Sequence, residues 1–207
     1  SLPAALRSVL DLARRLELPE AVPRRLAQNA PEDPLPEVRR RNLVMLVREF
    51  PHDPTTASAL RQACADGDEE NRLYAALQLG PDGHAVLRSL ADGSPSDSCA
   101  ARAIRGLGTD LPASEALELL SAALPRRRVA SAIACIQGLD GRGGAATVGA
   151  LERVLAVERG PVAVAAANAL GSPGLPGAEG VLLERGLVHG DGDTLVAAVA
   201  ALGRVGT

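Results

Sequence analysis

Arginine carries most of the chemistry this sequence could offer. Arg39, Arg40 and Arg41 form one cluster, Arg126, Arg127 and Arg128 a second, and Arg102 and Arg105 lie between them in the chain. A guanidinium is always charged and presents a planar fork of donors. It recognises carboxylates and phosphates and does not shuttle protons. All 22 basic residues are Arg, so Schiff-base catalysis, a Lys general base and a phosphate-loop Lys are excluded within this chain. Arg126-Arg127-Arg128 follows Pro125 and is expected to open a helix, where the macrodipole disfavours cations. Pairing with Glu115 or Glu118, or solvation, would relieve it; an anionic partner (acidic peptide, phosphate or nucleic-acid backbone) docking at the rim is the sharper reading. Arg40 and Arg41 occupy the first turns of another helix, with Glu37 offsetting part of their charge, and Arg102 and Arg105 would continue the stripe. Tyr74 and Gln78 share a helix face that points outward if Leu73, Ala76 and Leu77 point in. Tyr74 is then either an interface anchor or a ring laid over an adjacent helix.

Other chemistries find less support. Asp66, Asp68, Glu69 and Glu70 cluster at a helix start, where negative charge offsets the helix dipole, worth about 0.3–1 kcal/mol each; that account suffices without catalysis. His52, His84 and His189 have no His or Cys at ligand spacing. No G-x-S-x-G elbow exists, and Cys64, Cys99 and Cys135 have no nearby His. Their odd number and apolar surroundings point to buried free thiols in a reducing cytosol. Gly141-Arg142-Gly143-Gly144 follows a helix and not a strand, so it reads as an interhelical turn and not as a phosphate cradle. No catalytic, metal or cofactor site is expected.

The elements that must position these residues are helices. The chain of 207 residues is 46% hydrophobic yet contains no Trp and only one each of Tyr, Phe and Met. Ala, Leu and Val suit close-packed helices better than a sandwich or barrel. A net charge of −3 provides no general field for nucleic acid or anionic lipid. No run of about 18 apolar residues and no signal-peptide pattern is present, and a cytoplasmic protein is expected.

The dominant signal is repetition. Phe50, Gly80, Gly108, Asp140, Gly171 and Gly203 end similar segments at steps of 28 to 32 residues. Each stop follows a run with apolar spacing i, i+3, i+4, i+7, as in Leu43, Leu46, Val47, Phe50; Leu73, Ala76, Leu77, Gly80; and Val129, Ala132, Ile133, Ile136. A polar turn and a shorter second run come next, carrying Leu87 and Leu90, then Leu117, Leu120 and Leu124, then Val148, Leu151 and Leu155, then Leu183 and Leu187. Gly past the last apolar position suits a left-handed cap. Asp53, Asp68, Ser96, Ser114 and Asp193 fall where N-caps are wanted. The segment 171–177 reads as a loop inside the array. About thirty residues cannot bury a helix pair alone, so pairs must stack: an all-α, right-handed α-solenoid of about six helix pairs over residues 1–207.

Pro36-Glu37-Val38-Arg39 through Val47, and Glu70-Asn71-Arg72-Leu73-Tyr74-Ala75-Ala76-Leu77-Gln78-Leu79-Gly80, resemble the second helix of a HEAT repeat. The match is closest to the short bacterial, bilin-lyase-type variety, with an acidic residue, Val-Arg, Ala-Ala and Leu-Gly. The resemblance implies that second helices line a concave face and first helices the convex back. The Arg of the pattern fits at Arg39 and Arg72, while Ala100, Ala163 and Leu195 take its place later. No His-Glu pair of the iron-binding HEAT-like hydroxylases is present. The leading expectation is a non-catalytic scaffold binding a protein partner on the concave face through Arg40, Arg41, Tyr74, Gln78, Arg102, Arg105 and Arg126–Arg128. Nucleic-acid or phosphate binding, as in the HEAT-like DNA glycosylases, and a bilin lyase-type subunit are the alternatives; the first lacks aromatic stacking residues. The last helix, around 193–203, is apolar nearly all round, so the chain is expected to continue or to pack on another molecule there. A helix over Pro3–Leu16 suits a cap.

Overall fold

Proline, aspartate and glycine set the helix ends, and leucine and alanine set the faces between them. The computed structural model describes residues 21–188 and 190–205; the expected Pro3–Leu16 helix and His189 lie outside them. The described helices are α1 (Ala21–Glu32), α2 (Pro36–Glu49), α3 (Pro54–Ala63), α4 (Glu69–Leu79), α5 (His84–Gly93) and α6 (Asp97–Leu107). They continue as α7 (Ala113–Ala123), α8 (Val129–Gly138), α9 (Gly144–Val157), α10 (Pro161–Leu170), α11 (Ala178–Val181, prolonged by a π-helical turn Leu182–Leu187) and α12 (Gly192–Val205). The protein is all-α, with no strand among the described residues.

Pro36, Pro54 and Pro161 stand at the first helical position, where the missing N–H costs nothing. Asp53, Asp68 and Ser96 cap α3, α4 and α6 by accepting from the N–H of Thr55, Asn71 and Cys99. Two expected caps differ. Ser114 lies inside α7, which follows Pro112, and Asp193 lies inside α12, where Asp191 accepts from Thr194 N–H at 2.9 Å instead. The stops also divide. At ψ −127°, and so not in the left-handed helical cap expected of them, Gly80 (φ 58°) and Gly108 (φ 52°) still take a positive φ that favours glycine. Gly171 does not (φ −77°). It is required for another reason: a Cβ there would come within 2.7 Å of Ala201 Cβ, so it lets α10 and α12 approach. Gly203 lies within α12, which runs on to Val205.

The chain divides into two compact units, Ser1–Leu87 and Arg88–Thr207, and α5 runs through the boundary. In the first unit, α1 packs on α2 and α3, α2 on α4, and α3 on α4. Leu26, Ala30, Leu43, Leu46, Ala59 and Leu60 are buried between them. In the second unit, α6, α8, α10 and α12 touch in that order, and α7, α9 and the α11 segment form a parallel series against them. Ala100, Ala103, Ala132, Ala163, Ala166 and Ala198 are all at most 1% exposed along the first of these rows. Small side chains let helices approach closely, and they explain how so few aromatic residues suffice.

Three apolar positions turn the other way from expectation. Leu77 is 37% exposed because the buried arc of α4 swings through Asn71, Leu73, Ala75 and Ala76. Val129 is exposed at the first position of α8, ahead of the packed turns. Leu183 is exposed while Leu182 and Gly186 are buried. The π turn brings residues four apart inward, and Gly186 fits against Ala198.

Candidate functional site

Within the first unit, α2 and α4 are tied at their N-terminal ends. Asp66 lies in the turn before α4. Its carboxylate accepts from Arg39 Nε at 2.7 Å and Nη2 at 2.6 Å, and from the N–H of Asp68 at 2.8 Å. The Arg39 hydrogen bonds hold the Asp66 carboxyl below the usual range against the opposing effect of burial. Arg40 pairs with Glu70 at 3.0 Å, and Asn71 Nδ2 donates to the Pro36 carbonyl. Asp66, Asp68 and Glu70 of the acidic cluster are thereby engaged in capping and pairing. Arg41 is exposed. Tyr74 is half-buried and packs over the core of the unit, which raises its hydroxyl pKa through desolvation. Its ring is therefore laid over neighbouring helices and is not a free anchor. Gln78 is exposed, one turn further along α4.

Within the second unit the basic residues do not form one stripe. Arg126–Arg128 do not open a helix. They form the turn before α8, with Arg127 left-handed (φ 56°) and Arg128 at the N-cap. Arg128 Nη2 donates to the Ser94 carbonyl at 2.5 Å. Glu115 instead receives Arg88. Asp97 answers the dipole of α8: its carboxylate accepts from the N–H of Ala130 at 2.8 Å, the N–H of Ser131 at 3.0 Å and the Ser131 hydroxyl at 2.6 Å. Burial opposes ionisation of Asp97, but these hydrogen bonds and the Arg128 charge outweigh it and lower its pKa. Arg105 stands elsewhere, near the far end of α6, where Nε donates to Gln137 Oε1 at 3.4 Å. Gln137 lies nine residues beyond Arg128, about 13 Å along the helix at 1.5 Å per residue. Arg102 is exposed one turn before Arg105.

The second unit also contains a feature absent from the sequence reading. Arg105, Gln137 and Asn168 each sit three residues before the stop of their repeat (Gly108, Asp140, Gly171), and all three are exposed. Gln137 and Asn168 line an open groove of about 580 Å³ across α8, α10 and α12, floored by Ile136 and Val164. Arg204 closes one side, donating to the carbonyls of Asn168 and Gly171 at 3.2 and 3.4 Å. Asp140 also lines the groove and accepts from Ser172. Aligning the repeats on their stops puts Arg105, Gln137 and Asn168 in one register, where the other repeats carry Val47, Leu77 and Ala200.

Among the described residues, no group of three or more His, Cys, Asp and Glu could hold a metal ion, and no helix is long and apolar enough to cross a membrane. Cys99 and Cys135 are buried, Cys64 is half-buried, and none of the three forms a disulfide. Burial pushes the Cys135 thiol up to about 12. On α12, Val196 and Val199 are 70% and 57% exposed, so its apolar outer side faces solvent in this chain.

The fold and the groove define an all-α protein with an open, polar-edged recess in its second unit. Comparison with family models, with curated proteins and with solved structures finds no match to this chain.

Proposed function

We propose that the chain is a right-handed α-solenoid of about six HEAT-like helix pairs and works as a non-catalytic scaffold that holds a protein partner on the exposed side of its second helices. Support for the array comes from polar bonds that reach one repeat along the chain within each unit. Examples are Arg39 to Asp66, Asp97 to Ser131, Arg105 to Gln137 and Arg204 to Gly171. Nearest-neighbour contact of this kind is how repeat arrays hold together.

The observation that carries the function is the register-matched row Arg105, Gln137 and Asn168, exposed along helices otherwise packed with alanine. Guanidinium and amide groups hold and orient a ligand; neither exchanges protons near neutral pH. The outer side of α12 supports a second apolar contact with another molecule.

Affinity capture from a bacterial extract, followed by mass spectrometry, tests the reading. One protein retained in stoichiometric amount, and lost from the double variant Arg40→Glu/Arg105→Glu, is the expected result. Retention of nucleic acid alone, released by nuclease and by salt, would overturn it. So would a spectral change on adding a linear tetrapyrrole with no protein captured.

A further inference from the structure

We infer that the groove across α8, α10 and α12 binds an extended peptide segment carrying an acidic side chain, with the Gln137 and Asn168 amides on its main chain and Arg105 on its carboxylate. This rests on the scaffold reading and specifies its ligand. Each side-chain amide offers both a donor and an acceptor, the same pair that every peptide unit presents. Arg105 occupies Gln137 Oε1, which leaves the Gln137 NH2 group to donate into the groove, toward a carbonyl oxygen. Gln137 and Asn168 stand on helices in contact, whose axes are about 8–10 Å apart. That separation matches about three residues of extended chain at 3.3 Å each. A helix would turn its own carbonyls inward and could not use the row.

Charge selects the side chain. Arg105 stands beside the groove through Gln137, and the one carboxylate among the lining residues, Asp140, is engaged with Ser172. Arg105 hydrogen-bonds only a neutral amide, so its charge has no carboxylate opposite it among the described residues. A peptide carboxylate near Gln137 would meet the free edge of this guanidinium. The lining contains no aromatic residue, so nothing there stacks a nucleobase.

The test selects ligands for the full chain from a displayed library of random twelve-residue peptides, then measures a fluorescein-labelled representative by anisotropy. The selected peptides should share an Asp or Glu at one position. Affinity should fall at least tenfold in Gln137→Ala/Asn168→Ala, in Arg105→Glu, and when the peptide main chain is N-methylated at one register. It should hold in Arg126→Glu/Arg127→Glu. All substituted positions are exposed, and unchanged thermal melting of the variants confirms that they fold. Peptides without a shared acid, undiminished binding to Gln137→Ala/Asn168→Ala, or failure to enrich any peptide would overturn the inference. The two readings fail separately. A protein captured from extract as firmly by Gln137→Ala/Asn168→Ala as by the parent chain sinks the groove and leaves the scaffold standing.

Discussion

The two units solve the same joining problem with different chemistry. In the first, α2 and α4 are bridged mainly by side chain on side chain: the two-pronged Arg39–Asp66 pair and the Arg40–Glu70 pair. In the second, which also holds the ion pairs Arg88–Glu115 and Arg185–Glu152, the row α6, α8, α10 and α12 is joined chiefly by side chains on backbone. Asp97 takes two N–H groups of α8, Arg128 and Arg142 take the carbonyls of Ser94 and Leu111, and Asp191 takes the N–H of Gly160. An ion pair needs both partners to persist in the sequence, whereas a bond to backbone needs only one. Alanine can then fill the places where the first unit keeps Arg39 and Arg72. On that row Arg105 hydrogen-bonds Gln137 and meets no carboxylate among the described residues.

The comparison breaks most decisively in the cores. Leu43 in the first unit and Leu170 in the second are both fully buried. Truncating either to Ala should cost about 3 kcal/mol, from lost transfer free energy plus an unfilled cavity. Amide hydrogen exchange should place the loss among α1–α4 for Leu43→Ala and among α8–α12 for Leu170→Ala. A uniform loss over both sets would mean that the units do not have separate cores.

Removing the backbone lock comes next. Asp97→Ala strips the cap from α8 and leaves the buried Ser131 without its carboxylate partner, a loss of about 2 kcal/mol in urea unfolding. Asp97→Asn keeps one acceptor and should lose about half of that. Equal effects of the two substitutions would show that the charge, and not the hydrogen-bond geometry, is what α8 needs.

Acid should act on both locks with the same sign. Asp66 and Asp97 have pKa values depressed in the folded chain. Each therefore contributes stability that is complete above the ordinary Asp range and is lost as pH falls through the depressed value. Melting temperature should drop below about pH 4. Asp66→Asn should flatten that drop for amides of the first unit, and Asp97→Asn for those of the second. A flat profile in the parent chain would contradict both assignments.

Much of the helical plan was legible because its cause is local. Periodic leucines, prolines at first positions, and Asp53, Asp68 and Ser96 as caps all act within a few residues. What failed depends on a neighbouring repeat. Gly171 reads as a cap, but it is there for Ala201, thirty residues on. Arg126–Arg128 read as a helix start, yet the anion that start requires is supplied by Asp97 at the start of α6, one repeat back. The candidate site divides in the same way. Arg105, Arg41 and Gln78 are exposed, and Arg40 is already paired. Gln137 and Asn168 carry no local signature, and only the alignment of one repeat on the next reveals them.

The smallest effect sharpens the contrast at the turns. Gly80 in the first unit and Arg127 in the second both have a positive φ (58° and 56°), and Arg127 is the one non-glycine among the described residues to do so. An L side chain there is strained by roughly 1–2 kcal/mol, while glycine loses about 0.5–1 kcal/mol through the entropy of the unfolded chain. Arg127→Gly should therefore stabilise the protein by about 0.5 kcal/mol, and Gly80→Ala should destabilise it by about 1 kcal/mol. Differential scanning calorimetry on the two variants measures both signs. If Arg127→Gly lowers the melting temperature, the guanidinium at this turn contributes more to the fold than its exposure implies, and Arg127 belongs with Arg128 in the lock on α6. If the temperature rises as expected, the chain keeps an arginine at a position where glycine would serve stability better, and the first place to look for what that cation meets is outside the fold.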